Sequence, residues 1–341
     1  MIVMVRNDTM ARLHPHRPRA GKSGESAVLD EVDRKIVAAL QVAPRASWAR
    51  VANVLELSES VVFRRGKKLL DSEVVQVSAL PDPTLTDRGF PVLVRLRCEV
   101  GEAYSVARAM AARPDTRLVL ALAASYDVLV ELIVPTRHSL GDVLQEGFKD
   151  VSGIVESESA TVIRNFKTSF DWARASVGSD LSQLDEKRAC SELNRTVDES
   201  DLKIIEILAG NGRLSYKTVG EIAGLSESSV RRRVDALLDN GAFQFATYVE
   251  PDLLGFNAPL FVWFDVDARD LEGVAARLSA LPEVRYVSAT TGKSQLAAEI
   301  LSRGIDDIYD LTTSEILGVD DVKRVDVGLE VRSFKRGFMI R

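Results

Sequence analysis

"LSESVVFRRGKKLLDS", residues 57–72, returns later in the chain as "LSESSVRRRVDALLDN", residues 225–240. Leu57, Ser58, Glu59 and Ser60 become Leu225, Ser226, Glu227 and Ser228, and Arg64 and Arg65 become Arg232 and Arg233, each pair 168 apart in residue number. A repeat of that length in a chain of 341 residues means one module used twice. Each copy reads as a helix written around cations. In the first, Val62 and Leu69 fall on one face, and Ser60, Val61, Arg64, Arg65 and Lys68 on the other. In the second, the outward set is Ser228, Ser229, Arg232 and Arg233, with Arg231 beside it. Ser58 and Ser226 stand at the N-cap positions, where a short hydroxyl accepts an otherwise unbonded amide.

Upstream, "LDEVDRKIVAALQVAPRASWARVANVLE" from Leu29 and "VDESDLKIIEILAGNGRLSYKTVGEIAG" from Val197 keep the same offset at Asp30 and Asp198, Leu40 and Leu208, Arg45 and Arg213, and Ser47 and Ser215. Each predicts a helix that starts on its acid, then a short serine-capped helix, then the cationic one. That is a helix-turn-helix unit. Copy one departs from copy two at Gly66, where Val234 stands, and at Glu73, where the stop glycine Gly241 stands. Trp48 and Tyr216 occupy equivalent places at the start of the second helix, with packing and a phosphate-backbone contact both open to them.

Downstream the rhythm changes. "EVVQVSALPDP" and "AFQFATYVEP" read as strands, followed by Gly89-Phe90 and Gly255-Phe256. Alternating segments such as "PVLVRLRCEV" and "PLFVWFDV" then open a βαββαβ order in each copy, a ferredoxin-like layout. The expected fold is α+β, two repeats of a winged helix-turn-helix domain and a ferredoxin-like domain. Its parts are a disordered basic arm at residues 1–28, a helix-turn-helix at 29–80, a βαββαβ domain at 81–170 and a polar linker at 171–196. The second helix-turn-helix covers 197–248 and the second βαββαβ domain 249–341.

A net charge of −6 argues against a globally cationic surface but leaves room for a local basic stripe. Cys98 and Cys190 are isolated, with no CxxC pair, so a structural metal or disulfide framework is not expected, and a reducing cytoplasm fits. No apolar run approaches the roughly 18 residues of a membrane span.

The ordered set "LDxxDxxI", Arg-x-Ser, "LSxSxVxxR", strand, Gly-Phe and βαββαβ resembles the leucine-responsive regulator (Lrp/AsnC) family of transcription factors, in a double-length form covering residues 29–170 and 197–341. The resemblance implies DNA binding through the first part of each copy and dimerisation and small-molecule sensing through the second. Arginine can pair with guanine bidentately or clamp phosphate, and serine adds short hydrogen bonds, so the serines and cations above are the expected DNA contacts. Because Val61 stands opposite Ser229 and Phe63 opposite Arg231, an imperfect palindrome in double-stranded DNA is the expected operator.

In that family the effector, commonly an amino acid, lies near the turn between the second and third sensor strands. The matching residues are Ala124, Ser125, Tyr126 and Asp127 in copy one and Thr291, Gly292 and Gln295 in copy two. Copy one lacks the usual glycine and copy two the usual aspartate. Pairing of the two copies within one chain, and further homo-oligomers, follow by analogy. Catalytic and cofactor motifs are absent: "GKS" at Gly21 and Gly292 lacks the first P-loop glycine. The enzyme alternative is the siroheme decarboxylase group, which shares both fold parts. Histidines expected on its sensor strands are missing, since the chain has only His14, His16 and His138.

Overall fold

The computed structural model describes residues 29–168, 170–178, 180–185, 197–311, 313, 321–337 and 339–340, so the basic arm expected at residues 1–28 lies outside the described residues. Copy one runs α1 Glu31–Val42, α2 Trp48–Val54, α3 Glu59–Asp71, β1 Gln76–Pro81, β2 Phe90–Cys98, α4 Ala103–Ala111, β3 Thr116–Ala123, β4 Val128–Val134, α5 Arg137–Gln145 and β5 Ile154–Thr168. Copy two runs α6 Glu199–Gly210, α7 Tyr216–Ala223, α8 Glu227–Asp239, β6 Phe243–Tyr248, β7 Leu260–Val266, α9 Leu271–Ala280, β8 Val284–Thr290, β9 Leu296–Ile300, α10 Ile305–Asp310, β10 Val322–Arg336 and the short β11 Met339–Ile340.

The helix starts follow their caps. Asp30 accepts the Asp33 amide at 2.9 Å, and Asp198 and Asp201 form a reciprocal capping box. Ser47, Ser215 and Ser226 cap α2, α7 and α8 through their hydroxyls, whereas Ser58 stands at the N-cap of α3 but turns its hydroxyl to Ser60. At the end of α3, Glu73 adopts φ 59°, the left-handed conformation that Gly241 supplies at φ 75° after α8. The stop survives the loss of glycine, at a steric cost of about 1–2 kcal/mol.

The strand expected as a wing is shared between the copies instead. β1 pairs antiparallel with β6, from Gln76 opposite Tyr248 to Pro81 opposite Phe243. Ser78 faces Ala246, its own equivalent, so a local two-fold axis runs between them. The apolar cores cross with the strands. Ala79 of β1 packs into the copy-two core of Ile204, Leu208, Val219 and Val234, while Val249, Leu254 and Phe256 pack into the copy-one core around Ile36, Leu40 and Val62.

Below the heads, each sensor half has the ferredoxin-like strand order, β3-β4-β2-β5 and β8-β9-β7-β10. The long strands β5 and β10, at 15 residues each, reach roughly 50 Å and outrun their own sheets. The first part of β5 pairs with β2 and the rest with β8, while β10 pairs with β7 and then with β3. These exchanges close the sheet into a ring. Even-numbered residues of β2 (Val92, Val94, Leu96) face α4 outside, and odd-numbered Leu93 joins Leu120, Leu129, Phe261 and Trp263 inside.

The segment after β5 is more than a polar spacer. Trp172, Ala173, Leu181 and Leu184 are buried against α1 and α2, and the Ala173 amide donates to Gln41 Oε1 at 3.0 Å. Gly66 also has a packing reason. A Cβ there would overlap the Trp48 indole, so the bulkier ring of copy one goes with glycine, while the smaller Tyr216 goes with Val234. Gly66→Ala is therefore expected to destabilise the chain by about 1–3 kcal/mol in urea unfolding. In a Trp48→Tyr background the same change should become neutral or stabilising, as an ordinary mid-helix glycine replacement is. A stabilising effect of Gly66→Ala alone would refute this packing account.

Candidate nucleic-acid interface and sensor ring

The two heads hold each other through two equivalent arginines. Arg45 of copy one donates to the Gly212 and Leu214 carbonyls of copy two and lies over the Tyr216 ring at 4.7 Å. Arg213 of copy two donates to the Pro44 and Ala46 carbonyls of copy one, at 2.5 and 2.9 Å, and lies over Trp48 at 4.5 Å. Burial, together with the neighbouring Arg45 charge, brings Arg213 down to about 10. Trp48 and Tyr216 are thus packing platforms for this clamp.

On the recognition helices α3 and α8, Ser58, Ser60, Arg64 and Lys68, and Ser226, Ser228 and Arg232, are exposed; Val61 and Ser229 are half-buried. Arg64, Lys68 and Arg232 form no ion pair with a described residue and are free to meet phosphate or base edges. Three cations of the expected reading set are otherwise engaged. Arg65 donates to Asp30 at 2.6 Å and Asp33 at 3.0 Å, and Arg233 to Asp198 at 2.7 Å and Asp201 at 2.8 Å. Each ties its recognition helix to the N-terminus of the first helix of its own head. The Asp30 carboxyl, bonded by the Asp33 amide and by Arg65, is held below its ordinary value. Arg231, exposed on α8, pairs with Glu227 at 3.1 Å and lies over Tyr216 at 5.1 Å.

The sensor turns are also internally bonded. Asp127 Oδ2 accepts the Cys98 amide at 2.7 Å, and Gln295 Oε1 accepts the Val266 amide at 3.0 Å. These acceptors and donors are equivalent in the two copies, so Gln295 reproduces the strap of Asp127 with a longer side chain. Tyr126 donates to Glu158 at 2.8 Å, Ser125 to Asp326 at 3.2 Å, and Thr291 Oγ1 accepts the Thr161 amide at 2.9 Å. Ala124 lies against Gly328, and Gly292, at φ 94°, sits beside Ser159. Each turn therefore rests on the long strand of the other copy.

Arg95, which nothing in the helix-turn-helix pattern singles out, joins the turns. It bridges Glu158 and Asp326, themselves equivalent residues, between the rings of Tyr126 at 4.8 Å and Trp263 at 4.7 Å. Trp263 is the copy-two equivalent of Arg95. The two-fold thus carries an unlike pair, a cation on an indole, where identical copies would set like against like. Burial pushes the Glu158 carboxyl up, but Tyr126 and Arg95 outweigh it and hold it below its ordinary value. The 168-residue offset was the signal that could have found this pair.

Paired helix-turn-helix heads stand over two exchanged ferredoxin-like sheets. The sequence profile of the AsnC-type helix-turn-helix domain matches residues 29–70 and 197–238, and that of the Lrp/AsnC ligand binding domain matches residues 260–340. The chain is 32% identical over 113 residues to the HTH-type transcriptional regulator FL11 of Pyrococcus furiosus, covering 33% of this chain and 75% of that one. It is 30% identical over 142 residues to the HTH-type transcriptional regulator Ptr1 of Methanocaldococcus jannaschii, covering 41% of this chain and 96% of that one. Its fold also resembles the siroheme decarboxylase NirDL, with a TM-score of 0.61 at 14% identity, covering 90% of this chain and 93% of that one. The chain belongs to the Lrp/AsnC family. Among the described residues no acid, cysteine and histidine cluster could hold a metal ion, and no helix is long and apolar enough to cross a membrane.

The free and engaged arginines should separate by assay. Arg64→Ala and Arg232→Ala are expected to weaken duplex binding at an unchanged melting temperature. Arg65→Ala and Arg233→Ala should lower the melting temperature, because each leaves two carboxylates at a helix N-terminus without their cation. Equal melting temperatures for all four variants would contradict the assignment.

Proposed function

We propose that the chain is a sequence-specific, DNA-binding transcriptional regulator in which one chain supplies both reading heads. The observation that carries this reading is the reciprocal Arg45–Arg213 clamp, which sets α3 and α8 in a two-fold relation with Arg64, Lys68 and Arg232 exposed. A two-fold pair of heads suits a palindromic site whose half-centres lie about one helical turn, ~10 bp, or a multiple apart. The heads differ, with Phe63 beside Trp48 where Arg231 stands beside Tyr216, so the palindrome is imperfect. A small-molecule effector, an amino acid or related metabolite, acts by favouring one arrangement of the two halves. The turn residues Ala124–Asp127, Thr291, Gly292 and Gln295 are the family-based candidates for its site, and Asp127 would have to release the Cys98 amide to take part. Equivalent exposed Ile163 and Val331, on the two long strands, offer a surface for association between chains.

Titrating labelled duplex against salt tests the reading. Affinity should fall linearly on a log–log plot with a slope near 0.9 per neutralised phosphate, and a random duplex should bind more weakly than the selected one. Indifference to both salt and sequence would dismiss it.

The near full-length likeness to NirDL motivates a second reading as a siroheme decarboxylase. His138 lies on α5, not on a sensor strand, and His14 and His16 lie outside the described residues. We expect no change in the visible spectrum of sirohaem incubated with the protein under reducing conditions. Formation of decarboxylated product would transfer the chain to the enzyme class.

A further inference from the structure

Between the paired heads and the inner face of the ring lies a cavity of about 940 Å³. That is at the upper end of the roughly 300–1,000 Å³ of small-molecule sites. Its floor combines apolar walls, Leu93, Leu118 and Phe261, with two cations at equivalent positions, Arg117 and Arg285.

Both cations are placed there by the backbone. The pairing of β3 with β4 shifts register between Thr116 and Leu118, and that of β8 with β9 between Val284 and Tyr286. Arg117 and Arg285 are the residues passed over. A β-bulge puts two successive side chains on one face, and so Arg117 and Leu118, and Arg285 and Tyr286, all line the cavity. A regular strand would have sent one of each pair outward.

The guanidiniums are only partly satisfied. Arg117 spends Nε and Nη2 on Glu131, at 2.7 and 2.6 Å, which leaves Nη1 without a described partner. Arg285 spends Nη2 on Glu299, and its Nε is buried with no partner. Glu299 is shared with Arg336, at 2.9 and 3.1 Å, and Glu330, which accepts from Arg336 at 3.2 Å, lies 3.8 Å from Arg285 Nη2. The Tyr286 hydroxyl is buried beside Ser288 and away from the cavity surface. The donors that line this cavity are the Arg117 and Arg285 guanidiniums. Their complement is an acceptor-only group, and a carboxylate takes guanidinium donors best. Trp172 of the connecting segment also lines it, as do Arg45 of copy one and Tyr216, Glu227 and Arg231 of copy two.

We propose that this cavity binds an organic acid with an apolar body, its carboxylate between Arg117 and Arg285 and its body against Leu93, Leu118 and Phe261. As an effector site this rests on the regulatory reading above. The occupant would touch Phe245 and Tyr248 of the ribbon joining the heads, so its binding energy bears directly on their arrangement.

The test is isothermal titration of the full chain with indole-3-acetate, phenylpyruvate and 4-methyl-2-oxopentanoate, with indole-3-acetamide as the uncharged counterpart. At least one acid should bind once per chain. The charge-neutral double variant Arg117→Gln/Glu131→Gln should bind that acid about tenfold or more weakly. For indole-3-acetate the amide, which needs no variant, should bind about tenfold or more weakly on wild type. Binding of none of the acids, or equal binding of indole-3-acetate and its amide, or an unchanged affinity in the double variant, overturns the proposal. Duplex affinity measured on the same preparation without acid reports separately on the regulator reading. Acid binding without DNA binding would leave the cavity assignment standing and remove its effector role.

Discussion

Two arginines, Arg45 and Arg213, hold this architecture together. Both are half-buried, and neither has a carboxylate partner among the described residues. Each is satisfied by carbonyl oxygens at the helix ends of the opposite head and by an aromatic face. Alone, each head would leave its arginine in solvent, and the four carbonyl bonds form only when the heads pair. The clamp makes each head a condition of the other. The shared β1–β6 ribbon and the crossed cores then follow, because the chain leaving each head is already beside its counterpart.

The same dependence runs through the ring. β5 and β10 are too long for their own half-sheets, and their free ends are capped by the edge strands of the other half. Open edges are a liability, and this exchange removes them. The connecting segment fills what remains on the copy-one side, with Trp172, Leu181 and Leu184 acting as core residues.

Fusion into one chain lets equivalent positions diverge. Arg95 meets Trp263, Trp48 with Gly66 answers Tyr216 with Val234, and Asp127 and Gln295 perform one strap with different side chains. Two identical chains would place each residue against its own likeness across the axis. In this protein the axis is geometric while the chemistry on its two sides differs, which permits unlike reading heads.

Local rules made much of this legible. The helices and their caps, the strand order of each half and the repeat itself depend on interactions within a few residues or on periodicity, both visible in a linear text. The recognition helices and their exposed serines, Arg64, Lys68 and Arg232 belong to that part. The engagement of Arg65 and Arg233 did not, although the acids they hold were in view, because the pairing joins residues more than thirty positions apart. Nor did the bonded state of Asp127, the Arg95–Trp263 contact or the bulges that turn Arg117 and Arg285 inward. Those were decided by the tertiary structure, since whether a cation reads DNA, clamps a helix or lines a cavity depends on which carboxylates and carbonyls the folded chain brings within hydrogen-bond reach.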